Sequence, residues 1–140
     1  MRYLLDTCIM LFMVNKTGEL GDNVEAIVTD FGNQLYMCSA SIRELSAAWH
    51  KYDYMQRKWK SAELMIQELH NHYGVQILYP QREHYKKFLS LQWNLAENHC
   101  DTTDLLIIAH AITEGLTLIS SDTKFDFYCN QGLDYLYNKK

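Results

Sequence analysis

A single proline, Pro80, and six glycines in 140 residues exclude collagen-like, low-complexity and disordered readings, so residues 1–140 read as one packed domain. Long apolar runs are missing too. No window approaches the roughly eighteen apolar residues of a membrane span, and the opening MRYLLDT meets an acid after a very short run. A cytoplasmic protein without membrane contact is therefore expected. Cysteine is sparse: Cys8, Cys38, Cys100 and Cys129 contain no Cys-x-x-Cys pair, which removes zinc knuckles and dithiol redox motifs and leaves reduced, structural thiols. Positive charge is also short. Thirteen Lys plus Arg against seventeen Asp plus Glu give a formal charge of −4, which argues against holding a nucleic acid by bulk charge. A nucleic-acid substrate at an acidic, metal-loaded site stays open.

What is present is apolar surface: 48% of residues are hydrophobic and 13% aromatic, enough for a core that needs no disulfide or metal staple. Tyr3 to Leu5, Leu35 to Cys38, Val75 to Tyr79, Leu116 to Ile119 and, more weakly, Leu133 to Tyr137 are short apolar runs that read as buried strands. Between them the period is helical. Leu45, Ala48, Trp49, Tyr52, Met55, Trp59, Ala62, Ile66 and Leu69 form one stripe, with Ser61 placed to cap a second helix of a pair. Tyr85, Phe88, Leu91 and Leu95 form another stripe, and Leu105 to Ile112 is apolar almost all round. The resulting order β-α-β-αα-β-αα-β-β favours parallel strands and a three-layer α/β/α sandwich.

In open parallel sheets ligands bind beyond the carboxyl ends of the strands. Asp6 ends the first strand, Asp122 follows the fourth, Glu44 lies in the first turn of the helix after the second, and Asp101 and Asp104 open the helix before the fourth. Each has a local alternative. Ser41-x-x-Glu44 is a capping box, Asp101 an N-cap followed by a dipole-favoured acid, Asp6 a partner for a loop amide, and Asp122 an Asx turn. If the acids converge, two carboxylates ~5 Å apart repel by about 3 kcal/mol at an effective dielectric near 20. Either some take up protons or a cation sits among them. All-oxygen ligation selects a hard ion, Mg²⁺ or Mn²⁺.

The run YLLDT ending in Asp6, SASIREL around Glu44, and NHCDTTDLLIIAHAITEGLTLISSDTKF carrying Asp101, Asp104 and Asp122 resemble a PIN domain, closest to the VapC-like ribonucleases of toxin–antitoxin pairs. The third block, with D-x-x-D, an apolar helix, Gly-Leu-Thr-Leu and Ser-x-Asp before Phe125, is the most specific. The resemblance implies a parallel five-stranded sheet of order 3-2-1-4-5 and metal-dependent hydrolysis of RNA phosphodiesters. It carries over Asp6, Glu44, Asp104 and Asp122 as the catalytic acids and metal ligands, with Asp101 as a further acid. Thr7 and Ser121 fall where the family has small polar residues near the site, and Arg43 is the base expected nearest substrate. A cognate antitoxin and a homodimer are implied partners. Cys8, Arg43, Cys100 and Thr102-Thr103 depart from the family's usual residues.

Arg57, Lys58 and Lys60, and Arg82, His84, Lys86 and Lys87, read first as solvated faces. Trp49, Tyr52 and Trp59 could stack on RNA bases, but their apolar stripe favours packing against a helix or a second subunit. His110 reads as structural, while His99, just before the acidic pair, is a weak candidate for phosphate contact. A phospho-receiver domain fails for want of paired acids and a late Lys, and a haloacid-dehalogenase-type phosphatase fails at Cys8. The remaining alternative is a catalytically weak PIN-like module that binds RNA or protein without cutting.

Overall fold

Leu4 and Leu5 are both wholly buried, and a strand with successive side chains buried must be covered on both faces. β1 (Arg2–Leu5) accordingly lies at the centre of a five-stranded sheet, order β3-β2-β1-β4-β5, in the computed structural model, which describes residues 1–140. Its neighbours are β2 (Gln34–Cys38) and β4 (Thr117–Ser120), flanked by β3 (Gln76–Leu78) and β5 (Asp134–Tyr137). All four pairings are parallel. Side chains alternate between two cores: Tyr3, Leu5, Leu35, Met37 and Ile119 enter one, Leu4 and Leu118 the other.

The first core is closed by α1 (Thr7–Asn15), α2 (Asp22–Val28), α3 (Ser41–Lys51), α4 (Asp53–Lys58) and α5 (Ala62–Tyr73). On the other side lie α6 (Arg82–Ser90) and α7 (Thr102–Glu114), whose Leu105 to Ala111 are all buried. The architecture is thus the three-layer sandwich with the expected strand order.

Several elements differ from the sequence reading. The first crossover holds two helices rather than one, separated by a turn in which Lys16 and Gly18 take positive φ. The long stripe is cut into three helices rather than two, because Tyr52 leaves helical geometry (φ −112°, ψ 118°) without any Gly or Pro to mark the break. Trp49 and Trp59 nevertheless pack inside the molecule, Trp49 Nε1 donating to the Trp59 carbonyl at 3.0 Å. Tyr52 is exposed. The stripe through α6 holds at Phe88 and, just past the helix, at Leu91, which join the second core, but Tyr85 and the later Leu95 are exposed, whereas His84 is buried. His84 leaves the basic face because its ring is satisfied inside, Nδ1 accepting the Gln81 N–H at 2.7 Å and Nε2 meeting Glu114 Oε1 at 2.6 Å.

Candidate functional site

Parallel pairing of β1 and β4 sets Asp6 beside the end of β4, its N–H donating to the Ile119 carbonyl at 3.0 Å. As N-cap of α1, Asp6 accepts the Thr7 N–H on Oδ1 at 2.9 Å, and on Oδ2 it accepts the Ser120 hydroxyl at 2.7 Å. Burial pushes its pKa up, the Ser120 and Thr7 hydrogen bonds oppose that, and the Glu44 charge adds to it. Asp122 starts the 3₁₀ segment Thr123–Gln131, accepting the Lys124 N–H on Oδ1 at 2.9 Å. Ser120 joins the two acids, since its Oγ also accepts the Asp122 N–H at 3.1 Å.

The other acids come from helix N-termini. The capping box at Ser41 does not form: Ala40 precedes α3 with helical dihedrals and no side-chain cap. Glu44 turns instead to α1, where Oε1 accepts the Thr7 hydroxyl at 2.6 Å, with Ser41 Oγ 3.0 Å from the same hydroxyl. Asp101 does cap α7, its Oδ1 receiving the Thr103 and Asp104 amides. Asp104, one turn inside α7, has its Oδ2 at 3.1 Å from His99 Nε2.

Four of these acids meet, and Asp6 acts on them through its charge. Oxygens of Glu44, Asp101 and Asp104 lie within 4.8 Å of one another, as do a ring nitrogen of His99 and oxygens of Asp104 and Asp122. Burial, reinforced by the charges of Asp6, Asp101, Glu44 and Asp122, pushes Asp104 up to about 8. No Lys or Arg is ion-paired with any of these acids. Glu44 Oε2, Asp101 Oδ2, Asp104 Oδ1 and Asp122 Oδ2 carry no protein hydrogen bond, while the other oxygen accepts from a protein donor in Glu44, Asp101 and Asp122 and lies against His99 Nε2 in Asp104. Anchored hard-oxygen ligands with one open oxygen each fit a divalent cation of the Mg²⁺ or Mn²⁺ type.

The lesser candidates fall differently. Arg43 is exposed beside Glu44. Thr7 uses its hydroxyl proton on Glu44, and Ser121 Oγ accepts from Asn138 Nδ2 at 2.9 Å, turned toward the chain's last residues. His99 is buried rather than available to phosphate. Ser120, Asn94 and Tyr128 bear on the acids without standing out in the sequence, and His99 meets Asp104 rather than a phosphate. Only the β1–β4 register points to Ser120, and only the folding of distant segments together points to the others. A second cluster, His84, His110 and Glu114, is no metal site: the Gln81 N–H occupies the His84 Nδ1 lone pair, so Nε2 carries the proton it gives to Glu114.

The sequence profile of the PIN domain family matches residues 3–130. No curated protein sequence matches at a significant level. Among solved structures, VapBC2 from Rickettsia felis bound to a DNA fragment from their promoter is similar with a TM-score of 0.74 at 22% identity, covering 99% of this chain and 100% of that chain. VapBC-1 from nontypeable Haemophilus influenzae gives 0.67 at 22% identity, with full coverage of both chains (100% and 100%). DNA-bound VapBC from Salmonella typhimurium gives 0.70 at 15%, covering 99% of each. At such identities the likeness is one of fold.

Proposed function

Because the chain belongs to the PIN domain family, we propose that it is a divalent-cation-dependent endoribonuclease acting as the toxin of a toxin–antitoxin pair. The observation that carries this reading is the set of open carboxylate oxygens at the strand ends, each on a side chain whose other oxygen is already held. A module that only bound RNA would gain nothing from acids that repel one another and the phosphates.

Asp6, Glu44, Asp101, Asp104 and Asp122 would hold one or two Mg²⁺ or Mn²⁺ ions. A cation there supplies an activated water and offsets charge building on the scissile phosphate. The protein's contribution is orientation: Ser120 holds Asp6, Thr7 holds Glu44, and the backbone amides of α7 hold Asp101. Arg43 extends from the same turn as Glu44 to take a neighbouring phosphate. As the water oxygen bonds to phosphorus, the bond to the 3′ oxygen breaks and that oxygen takes up a proton. The products carry a 5′-phosphate and a 3′-hydroxyl.

The neighbours' description as VapBC complexes supports an antitoxin partner whose basic segment would reach the acids. An apolar hollow of about 480 Å³ between α3 and α5, lined by Met37, Ile42, Ile66 and Ile77, would suit its apolar part. Of the stripe Trp49, Tyr52 and Trp59, the two Trp rings pack internally and only Tyr52 is exposed, which leaves little there for a second copy to cover. Among the exposed apolar side chains, Tyr85, Leu89, Trp93 and Leu95 follow one another along α6 and the segment after it, and a second copy would meet there.

The test is incubation of the purified protein with structured and unstructured RNA in Mg²⁺, Mn²⁺ or chelator. Cleavage is expected only with metal, and Asp104→Asn should lower it by at least ~10²-fold while leaving the fold intact. An Asp104→Asn variant that cuts at the normal rate would refute the assignment.

A further inference from the structure

The segment between α6 and α7 carries a buried line of polar groups toward Asp104. The Asn94 N–H donates to Tyr128 Oη at 3.0 Å, Tyr128 Oη lies 3.0 Å from His99 Nδ1, and His99 Nε2 lies 3.1 Å from Asp104 Oδ2. Tyr128 and His99 are both buried, and the His99 ring packs against Phe125 with centroids 5.3 Å apart.

Counting donors settles where the protons sit. A backbone N–H only donates, so Asn94 takes a lone pair of Tyr128 Oη. The hydroxyl proton then has one acceptor within reach, His99 Nδ1. A proton on Nδ1 would also point at Oη and leave the buried hydroxyl proton without a partner, which buried polar groups avoid. An imidazole whose Nδ1 accepts the Tyr128 hydroxyl proton has only Nε2 left to carry its N–H. That N–H is aimed at Asp104.

We propose that His99 is a positioning residue: Tyr128 fixes its tautomer so that Nε2–H clamps Asp104 Oδ2 and leaves Oδ1 as the oxygen that meets the cation. The clamp rests on the metal-dependent reading above and extends it. It also removes His99 from the ligand set, although its ring nitrogen lies within reach of Asp104 and Asp122, because Nε2 has no lone pair to offer. Partners that orient metal ligands in this way are commonly worth 10–100-fold in metal affinity.

The experiment measures Mn²⁺ affinity of the full chain by calorimetry for wild type, His99→Ala, His99→Gln and Tyr128→Phe, with circular dichroism to show folding. The His99 tautomer is read from imidazole ¹⁵N shifts in the Mg²⁺-loaded protein. His99→Ala should weaken Mn²⁺ by about 10–100-fold. His99→Gln, whose amide N–H reaches close to the Nε2 position, should recover most of that, and Tyr128→Phe should fall between wild type and His99→Ala. The kcat for RNA should drop with KM little changed. Folded His99→Ala with wild-type affinity overturns the clamp, as does an Nε2 that carries no proton. Should His99→Ala fail to fold, Tyr128→Phe decides, and wild-type affinity there overturns the clamp as well. A wild-type protein that binds no Mn²⁺ would overturn the metal reading itself, a result separate from failure of the clamp.

Discussion

At Asp104 burial and neighbouring carboxylates raise the pKa from 3.8 to about 8. The metal-free folded state therefore binds more protons than the unfolded chain between those values. This contribution to stability is complete below pH 3.8, shrinks as pH rises and is gone above about 8. Mg²⁺ should raise Tm more at pH 8 than at pH 5, measured by thermal melts with and without the ion; equal shifts would count against the cluster. His110 works in the opposite sense. Burial lowers its pKa from 6.5 to about 4, and its Nδ1 has no partner. Stability from this group is present above pH 6.5 and lost as pH falls through about 4. His110→Phe, which keeps a ring against His84 (centroids 4.2 Å apart), should match or exceed wild-type stability at pH 7. It should also flatten the acid limb of a urea-denaturation series, and an unchanged limb would contradict this account.

Elements deliver the site through their ends. Asp6, Asp101 and Asp122 each cap a helix or 3₁₀ segment; in Asp101 and Asp122 the cap uses one oxygen and leaves the other open to the cluster, whereas the second oxygen of Asp6 is held by Ser120. That is why capping patterns in the sequence could not by themselves separate a cap from a ligand. Caps away from the acids have one role only. Ser61 starts α5 by accepting the Leu64 N–H at 3.1 Å, and Ser61→Ala should cost about 1 kcal/mol in urea denaturation with cleavage intact. Gly21 is more demanding: a Cβ there would stand 1.6 Å from the Lys139 carbonyl oxygen, and its N–H donates to Asn138 Oδ1 at 2.7 Å. Gly21→Ala should destabilise by about 1–3 kcal/mol through forced displacement of the chain's last residues. A neutral result would show that this segment yields freely.

Over the whole molecule, charge is placed rather than spread. The net of −4 includes the acids gathered at the strand ends, and two divalent cations there would bring the formal total to zero. On the proposed function, RNA would then be held through few basic residues. Of the basic clusters, His84 is internal and Lys58 Nζ is committed to the Val14 carbonyl at 2.7 Å. Contact with about two phosphates implies a slope of roughly −1.4 for log affinity against log salt. Fluorescence anisotropy of labelled single-stranded RNA on Asp104→Asn with Mg²⁺ should show this shallow dependence. A slope several times steeper would mean a basic surface not yet located.

By itself the sequence determined the five strands, the double-sided burial of the central ones and the acids at element ends, because apolar runs and the identities of the residues that follow them are local properties. It did not determine where the long stripe breaks at Tyr52, since a helical period passes through a break unchanged, nor that His84 is internal, since that needs Glu114 from another helix. Tertiary structure alone decided that Glu44 meets Thr7, that Ser120 braces Asp6, and that Tyr128 reaches His99 beside Asp104. These contacts join residues far apart in the chain, and strand register and helix packing bring them together.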